Sequence, residues 1–186
     1  MAEAFWALGR ATGVVSLVLF TVAVLLGILT RSGRPALGLP RFAVTLVHRN
    51  ISLLATVLVI IHVASLLADP YAQLRLVDVV VPFLGTAKPF WLGLGTFAFD
   101  LVLALVITGL LRQRIGQRAF RFVHWFSYAM WPVAVLHTLG DGSDVGKSWL
   151  VLLLVLCVGS VLVSLAWRMS ATFIEYQHTR FEEARR

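Results

Sequence analysis

The chain has 186 residues, 59% of them apolar and 13% charged, with a mean hydropathy of +0.88. That balance excludes a soluble globule and points to a polytopic membrane protein. The net charge of +7 does not single out nucleic acid, because the basic residues flank apolar runs instead of gathering on a polar domain. Cys157 is the only cysteine, so an intramolecular disulfide and a thiolate metal cluster are both excluded.

Five segments are expected to cross a ~30 Å hydrocarbon core, which needs about 20 residues. The first covers about 12–29. It is preceded by Glu3 and Arg10, not by a basic cluster, and no small-x-small cleavage site follows, so it reads as a retained helix and not a signal peptide. RSGRPALGLP then makes a turn-rich break. The second segment covers about 42–68. The connection after it contains Asp69-Pro70, Pro82 and Lys88-Pro89, and its VDVVVPFLG portion reads as a short interfacial helix. The third, fourth and fifth segments cover about 91–111, 122–139 and 148–167. Residues 168–186 form a polar tail that starts helical, and the whole chain reads as one transmembrane domain, 1–186.

Charge sets the expected orientation. Arg31, Arg34 and Arg41 mark one connection, Arg112, Arg114, Arg118 and Arg121 another, and Arg168 begins the tail. The alternate connections hold Asp69, Asp78, Asp141 and Asp144 with only Arg75, Lys88 and Lys147. Positive charge on the cytoplasmic side puts the N-terminus outside and the C-terminus inside a bacterial plasma membrane, and makes segments two and four parallel.

Four of the five histidines lie in those two segments: His48 and His62 in the second, His124 and His137 in the fourth. An ionisable residue in a span is costly and marks function by default. At about 1.5 Å per residue, His48 and His62 stand about 21 Å apart along the axis, and His124 and His137 about 19.5 Å. His48 and His124 therefore share an inner level, and His62 and His137 an outer one. A single histidine of this kind commonly bonds a neighbouring helix, but four at matched depths on parallel helices argue for ligands. A b-type haem takes one imidazole on each side of its iron from facing helices, so two haems between the second and fourth helices are expected. Rotation fits one pair better than the other. Fourteen residues at about 100° each return within about 40° of the start, whereas thirteen fall about 140° short, a gap that a kink at Pro132 is expected to absorb. Zinc and di-iron sites need closer ligand spacings and carboxylates or thiolates. The acidic residue inside a span is Asp100, which reads as facing the bundle interior.

The pairs H-x13-H and H-x12-H, with VHRN after a basic loop and FRFVHWFSYAMWPVAVLH led by basic and aromatic residues, resemble the ferric reductase-like transmembrane domain. That domain is shared by ferric reductases, NADPH oxidases and the haem-binding membrane subunits of bacterial methionine-sulfoxide reductase systems. The resemblance runs from the first span to the fifth. It implies an inner haem on His48 and His124, an outer haem on His62 and His137, and electrons passing outward between them. Arg41, Arg49 and Arg121 lie near the inner level, where their charge suits haem propionates and equally suits topology. Trp125, Phe126 and Trp131 lie between the levels, as porphyrin contacts or as plain core.

The larger ferric reductases and NADPH oxidases resemble this domain with a C-terminal flavin and nicotinamide module. Here no G-x-G-x-x-G loop stands in a strand–helix context, so no FAD or NADPH site is expected in this chain. The electron donor is then a cytosolic flavin reductase or a membrane quinol, and the external acceptor is ferric iron, oxygen or a partner protein. The alternative is a haem-binding membrane anchor for another redox enzyme, without reductase activity of its own. His178 falls in the tail and reads as solvated.

Overall fold

The computed structural model describes residues 2–32, 40–170 and 173, and every regular element among them is helical. An apolar surround allows little else, because each main-chain N–H and C=O must find its partner within its own segment. In chain order the helices are α1 (Ala2–Ser32), α2 (Arg41–Ala68), α3 (Leu76–Val80), α4 (Pro89–Leu110), α5 (Arg112–His124), α6 (Ser127–Asp141) and α7 (Ser148–Met169). The tail beyond Phe173, including His178, and most of the break after α1, including Arg34, lie outside the described residues.

Four of these helices, α1, α2, α4 and α7, are long and apolar enough to cross a membrane. α1 starts well before Thr12, and its 31 residues span about 46 Å. Arg10 therefore lies roughly two turns inside the helix and not ahead of it. The expected fourth segment is divided between α5 and α6, of which α6 has 15 residues. At the junction, Phe126 N–H donates to the Val123 carbonyl, Tyr128 to Trp125 and Ala129 to Phe126, all three residues back. This is 3₁₀ winding, at about 120° per residue instead of about 100°. Three or four such residues recover about 60–80° of the rotation that separates His124 from His137. The junction carries this correction in addition to Pro132, which lies inside α6.

The hydroxyls within the helices bond their own backbone. Ser16 donates to Thr12 O at 2.6 Å, Thr21 to Leu17 O at 2.8 Å, Thr56 to Ser52 O at 2.8 Å and Ser65 to Ile61 O at 2.6 Å. Each places a polar group in an apolar helix without leaving it unpaired. The core between helices holds Leu17, Phe20, Ala55, Val102, Trp131, Val135 and Leu154, and takes in Cys157 as a small packing residue. α1 packs most extensively against α2, and α4 against α6. The Trp131 indole N–H donates to Thr21 Oγ1 at 3.0 Å in the buried interior and ties α6 to α1. Leu152, Val155, Leu156, Leu162 and Val163 of α7 face outward, as do Leu46, Leu54 and Val57 of α2, which is the surface a lipid solvent requires.

α3 sits in the connection between α2 and α4. Asp78 accepts from the Arg75 backbone N–H at 3.1 Å and from its Nε at 2.9 Å, and Thr96 Oγ1 donates to Asp78 O at 2.6 Å. The last bond ties the connection to α4. Gln73, Phe83 and Lys88, all in this connection, have positive φ, an uncommon backbone for residues with a side chain.

Candidate functional site

Three of the four span histidines meet the same kind of partner. Nδ1 of His62 lies 2.6 Å from Gly9 O, Nδ1 of His48 lies 2.9 Å from Ala23 O, and Nδ1 of His137 lies 2.9 Å from Trp91 O. A carbonyl oxygen only accepts, so each Nδ1 carries the proton and donates it. That fixes the tautomer and leaves the Nε2 lone pair for a ligand, as a metal-binding histidine requires.

A helical carbonyl already bonded to the N–H four residues on has little room for a second donor. Side chains lean toward the helix N-terminus, so the residue at n+4 covers the carbonyl of residue n. In all three seats position n+4 is glycine: Gly13 after Gly9, Gly27 after Ala23, Gly95 after Trp91. A Cβ at Gly13 would stand 2.8 Å from His62 Nδ1, and one at Gly95 2.6 Å from His137 Cε1; at Gly27 the nearest ring atom is His48 Cε1 at 3.5 Å. Two seats thus exclude any side chain, and the third is looser. The seats on α1 are fourteen residues apart, matching His48 and His62 on the antiparallel α2.

The four histidines form two pairs. His62 and His137, both half-buried, line one cavity of about 260 Å³, measured as room for the centres of water molecules. A single buried water needs only ~10–15 Å³ by that measure. The walls come largely from α1, α2, α4 and α6, with Leu17, Val102, Met130 and Ala134 among the apolar lining and Arg10, Asp141 and Asp144 among the charged. At the other level, the rings of His48 and His124 have centroids 6.2 Å apart with planes at 81°. Two imidazoles sharing one metal at about 2.0–2.1 Å each have centroids roughly 6 Å apart. His124 also lies against Phe120, centroids 5.1 Å apart, and its ring makes no hydrogen bond among the described residues. No group of three or more His, Cys, Asp or Glu converges among the described residues. The arrangement is one of pairs, each offering two imidazoles. The residues present therefore fit a bis-histidyl haem at each level, with protonated Nδ1 and free Nε2 at three of the four positions.

The other expected site residues are placed less closely. Arg49 and Arg121 are exposed, and Arg121 Nε donates to Gln117 O at 3.4 Å. The Arg41 side chain lies outside the described residues. Trp131 is buried between the levels, whereas Trp125 and Phe126 are 57% and 43% exposed and belong to the outer surface. Asp100 is half-buried.

Sequence reasoning missed Arg10. It lines the cavity, is ion-paired to Asp144, and stacks over Trp6 with its guanidinium carbon 5.1 Å from the ring centroid. Lys147 Nζ adds a second cation to Asp144 at 2.7 Å. These cations hold the Asp144 carboxyl below its ordinary value, the Lys147 hydrogen bond first and the Arg10 charge after it. At the opposite end, Arg168 of α7 bonds the Tyr128 hydroxyl and lies 5.4 Å over the Trp125 ring, pinning the start of α6 beside the His124 junction.

Residues 12–135 match the family described as ferric reductase like transmembrane component. The match takes in the seats at Ala23 and Trp91 and three of the four histidines, ending just short of His137. No curated protein and no solved structure matches the chain. The family match covers about two thirds of the sequence, and with four apolar helices it makes this an integral membrane protein. The chain belongs to the ferric reductase-like transmembrane component family.

Proposed function

We propose that the protein is a di-haem b electron carrier that crosses the membrane five times, α6 making the fourth crossing, with the N-terminus outside. One haem is held by His62 and His137 toward the outer face, the second by His48 and His124 toward the cytoplasm. Bound haem supplies a one-electron carrier at each level, and two levels about 20 Å apart span a core too thick for one. The donor is a cytosolic flavin reductase or a membrane quinol, and the acceptor is external: ferric iron, oxygen or a partner protein. Arg41, Arg49 and Arg121 are the basic residues nearest the inner level and suit carboxylates there.

The observation that carries this reading is the repeated carbonyl seat. A histidine that merely satisfied itself in a helix interface would need one hydrogen bond, but not the same nitrogen, the same kind of partner and a matched depth shared with others. Here three imidazoles turn the same nitrogen to a carbonyl and keep the other free, at matched depths on two helices. The chain's own residues orient the imidazoles, exclude water through the apolar walls and leave Nε2 turned away from the carbonyls.

The test is to purify the protein with haem supply and record reduced-minus-oxidised spectra together with haem per chain. Two b-type haems are expected. A colourless, folded preparation from haem-replete cells sinks the proposal. Reduction of an impermeant ferric chelate outside sealed vesicles, with donor supplied inside, then tests direction. Failure with flavin and quinol donors alike leaves the anchor role in place of the reductase one.

A further inference from the structure

The carbonyl seats imply a fourth. Each consists of a helix carbonyl at n, a glycine at n+4 and a histidine Nδ1, and the two seats on α1 are fourteen residues apart. On α4 the seat at Trp91 and Gly95 serves His137. Fourteen residues further lie Leu105 and Gly109, on the same side of the helix to within about 40°. α4 runs antiparallel to α6, so Leu105 stands at the depth of His124, just as Trp91 stands at that of His137. Resting on the two-haem reading, we infer that the Leu105 carbonyl is the seat of His124, and that His124 donates Nδ1–H to it when the His48–His124 level is loaded.

Local detail supports the assignment. In the first seat Thr12 Oγ1 bifurcates between Leu8 O at 2.7 Å and Gly9 O at 3.2 Å. On α4, Thr108 Oγ1 bifurcates between Ala104 O at 2.6 Å and Leu105 O at 3.2 Å. Both glycines follow a threonine that touches the seat carbonyl from the side, Thr12-Gly13 and Thr108-Gly109. The fourth seat therefore has every part of the first except its histidine. A Cβ at Gly109 meets no described atom within 4 Å, and the His124 ring makes no hydrogen bond among the described residues. His124 also ends α5 at the 3₁₀ junction, where a small change in winding turns its ring. Seating fixes the tautomer and turns the plane of the His124 ring, and need not change its distance from His48. Gly109 and the Leu105 carbonyl are positioning groups that act through His124.

One substitution separates a His124 that stays clear of α4 from one that takes the seat. If His124 stays clear of α4, Gly109→Ala adds a methyl in open space and replaces glycine in a helix, which favours the fold. If His124 takes the seat, the same methyl meets its ring as a methyl at Gly13 would meet His62. Gly159→Ala on α7, where a Cβ also meets nothing within 4 Å, is the control. Haem binding is titrated into each detergent-solubilised protein, and the midpoint potential of each haem is followed optically.

Wild type and Gly159→Ala should bind two haems alike. Gly109→Ala should keep the His62–His137 haem and bind the other about 10–100-fold more weakly, the usual cost of losing a partner behind a metal ligand. Two haems in Gly109→Ala with wild-type affinity and potentials overturn the seat and leave the two-haem reading standing. Joint loss of both haems means a folding defect and also overturns it. Wild type binding no haem defeats the functional reading and this inference with it.

Discussion

At the His62–His137 level both imidazoles donate to a helix carbonyl, both are closed off by a glycine within 3 Å of the ring, and both line one cavity. At the His48–His124 level only His48 has its carbonyl, the glycine behind it is looser, and the two ring centroids stand 6.2 Å apart. The helices explain the difference. His62 and His137 each sit within a regular stretch of α2 or α6, where the neighbouring helix fixes the ring. His124 ends α5 at the change of winding, and α5 has no buried residue to anchor it. A ligand site on a continuous helix is set by packing before any ligand arrives, whereas one at a junction is set partly by the ligand.

The largest expected effects separate the levels outright. His62→Ala or His137→Ala should remove about half of the bound haem and leave the spectrum of the other level intact. His48→Ala and His124→Ala should do the converse. Should all four alanine variants keep full haem, the ligand assignment fails. Next in size is a graded series at the glycines. Gly95→Ala brings a methyl to 2.6 Å of His137 and Gly13→Ala to 2.8 Å of His62, whereas Gly27→Ala reaches only 3.5 Å of His48, an ordinary contact. Haem affinity at the affected level should fall about 10–100-fold for the first two and change little for the third. Equal effects at all three would remove the distinction between a closed seat and a loose one.

Much of this was legible in the sequence, and its limits have physical causes. Membrane character, the apolar segments and the matched depths of His48 with His124 and of His62 with His137 follow from composition and from the rise of a helix. The rotation of His137 relative to His124 did not, because the 3₁₀ junction at Trp125 and Phe126 depends on local winding that no residue there announces. Arg10 was placed ahead of the first helix because hydropathy marks where a segment becomes apolar, not where the helix starts. The carbonyl partners are main-chain atoms and carry no letter of their own. Their trace is the glycine four residues on: Gly13 and Gly27 repeat the interval of His62 and His48, and Gly95 and Gly109 come within one residue of that between His137 and His124. Reading glycine and histidine intervals together would have located the seats.

The smallest predicted effect concerns the charged lining of the His62–His137 cavity, where acid should act. Hydrogen bonding from Lys147 and the charge of Arg10 hold the Asp144 carboxyl below its ordinary 3.8, and hydrogen bonds from Arg75 do the same for Asp78. A carboxyl with a lowered value in the folded protein binds fewer protons there than in the unfolded chain. Its stabilising contribution is therefore complete only above about pH 5, beyond the unfolded value of 3.8, and is lost as pH falls through the folded value below that. Thermal unfolding of the haem-free protein, which avoids proton competition at the haem ligands, should show stability falling between pH 5 and about pH 3. Asp144→Asn should be less stable than wild type at pH 7 and lose part of that pH slope, with Asp78→Asn removing a further part. An Asp144→Asn protein with the full wild-type slope would show that the Arg10 and Lys147 contacts contribute nothing to the charged lining. With the slope reduced as expected, haem affinity of Asp144→Asn at pH 7 then asks whether the charged lining supports the cavity. A change confined to the His62–His137 haem is the expected answer, because Arg10 and Asp144 line that cavity and neither reaches the His48–His124 pair.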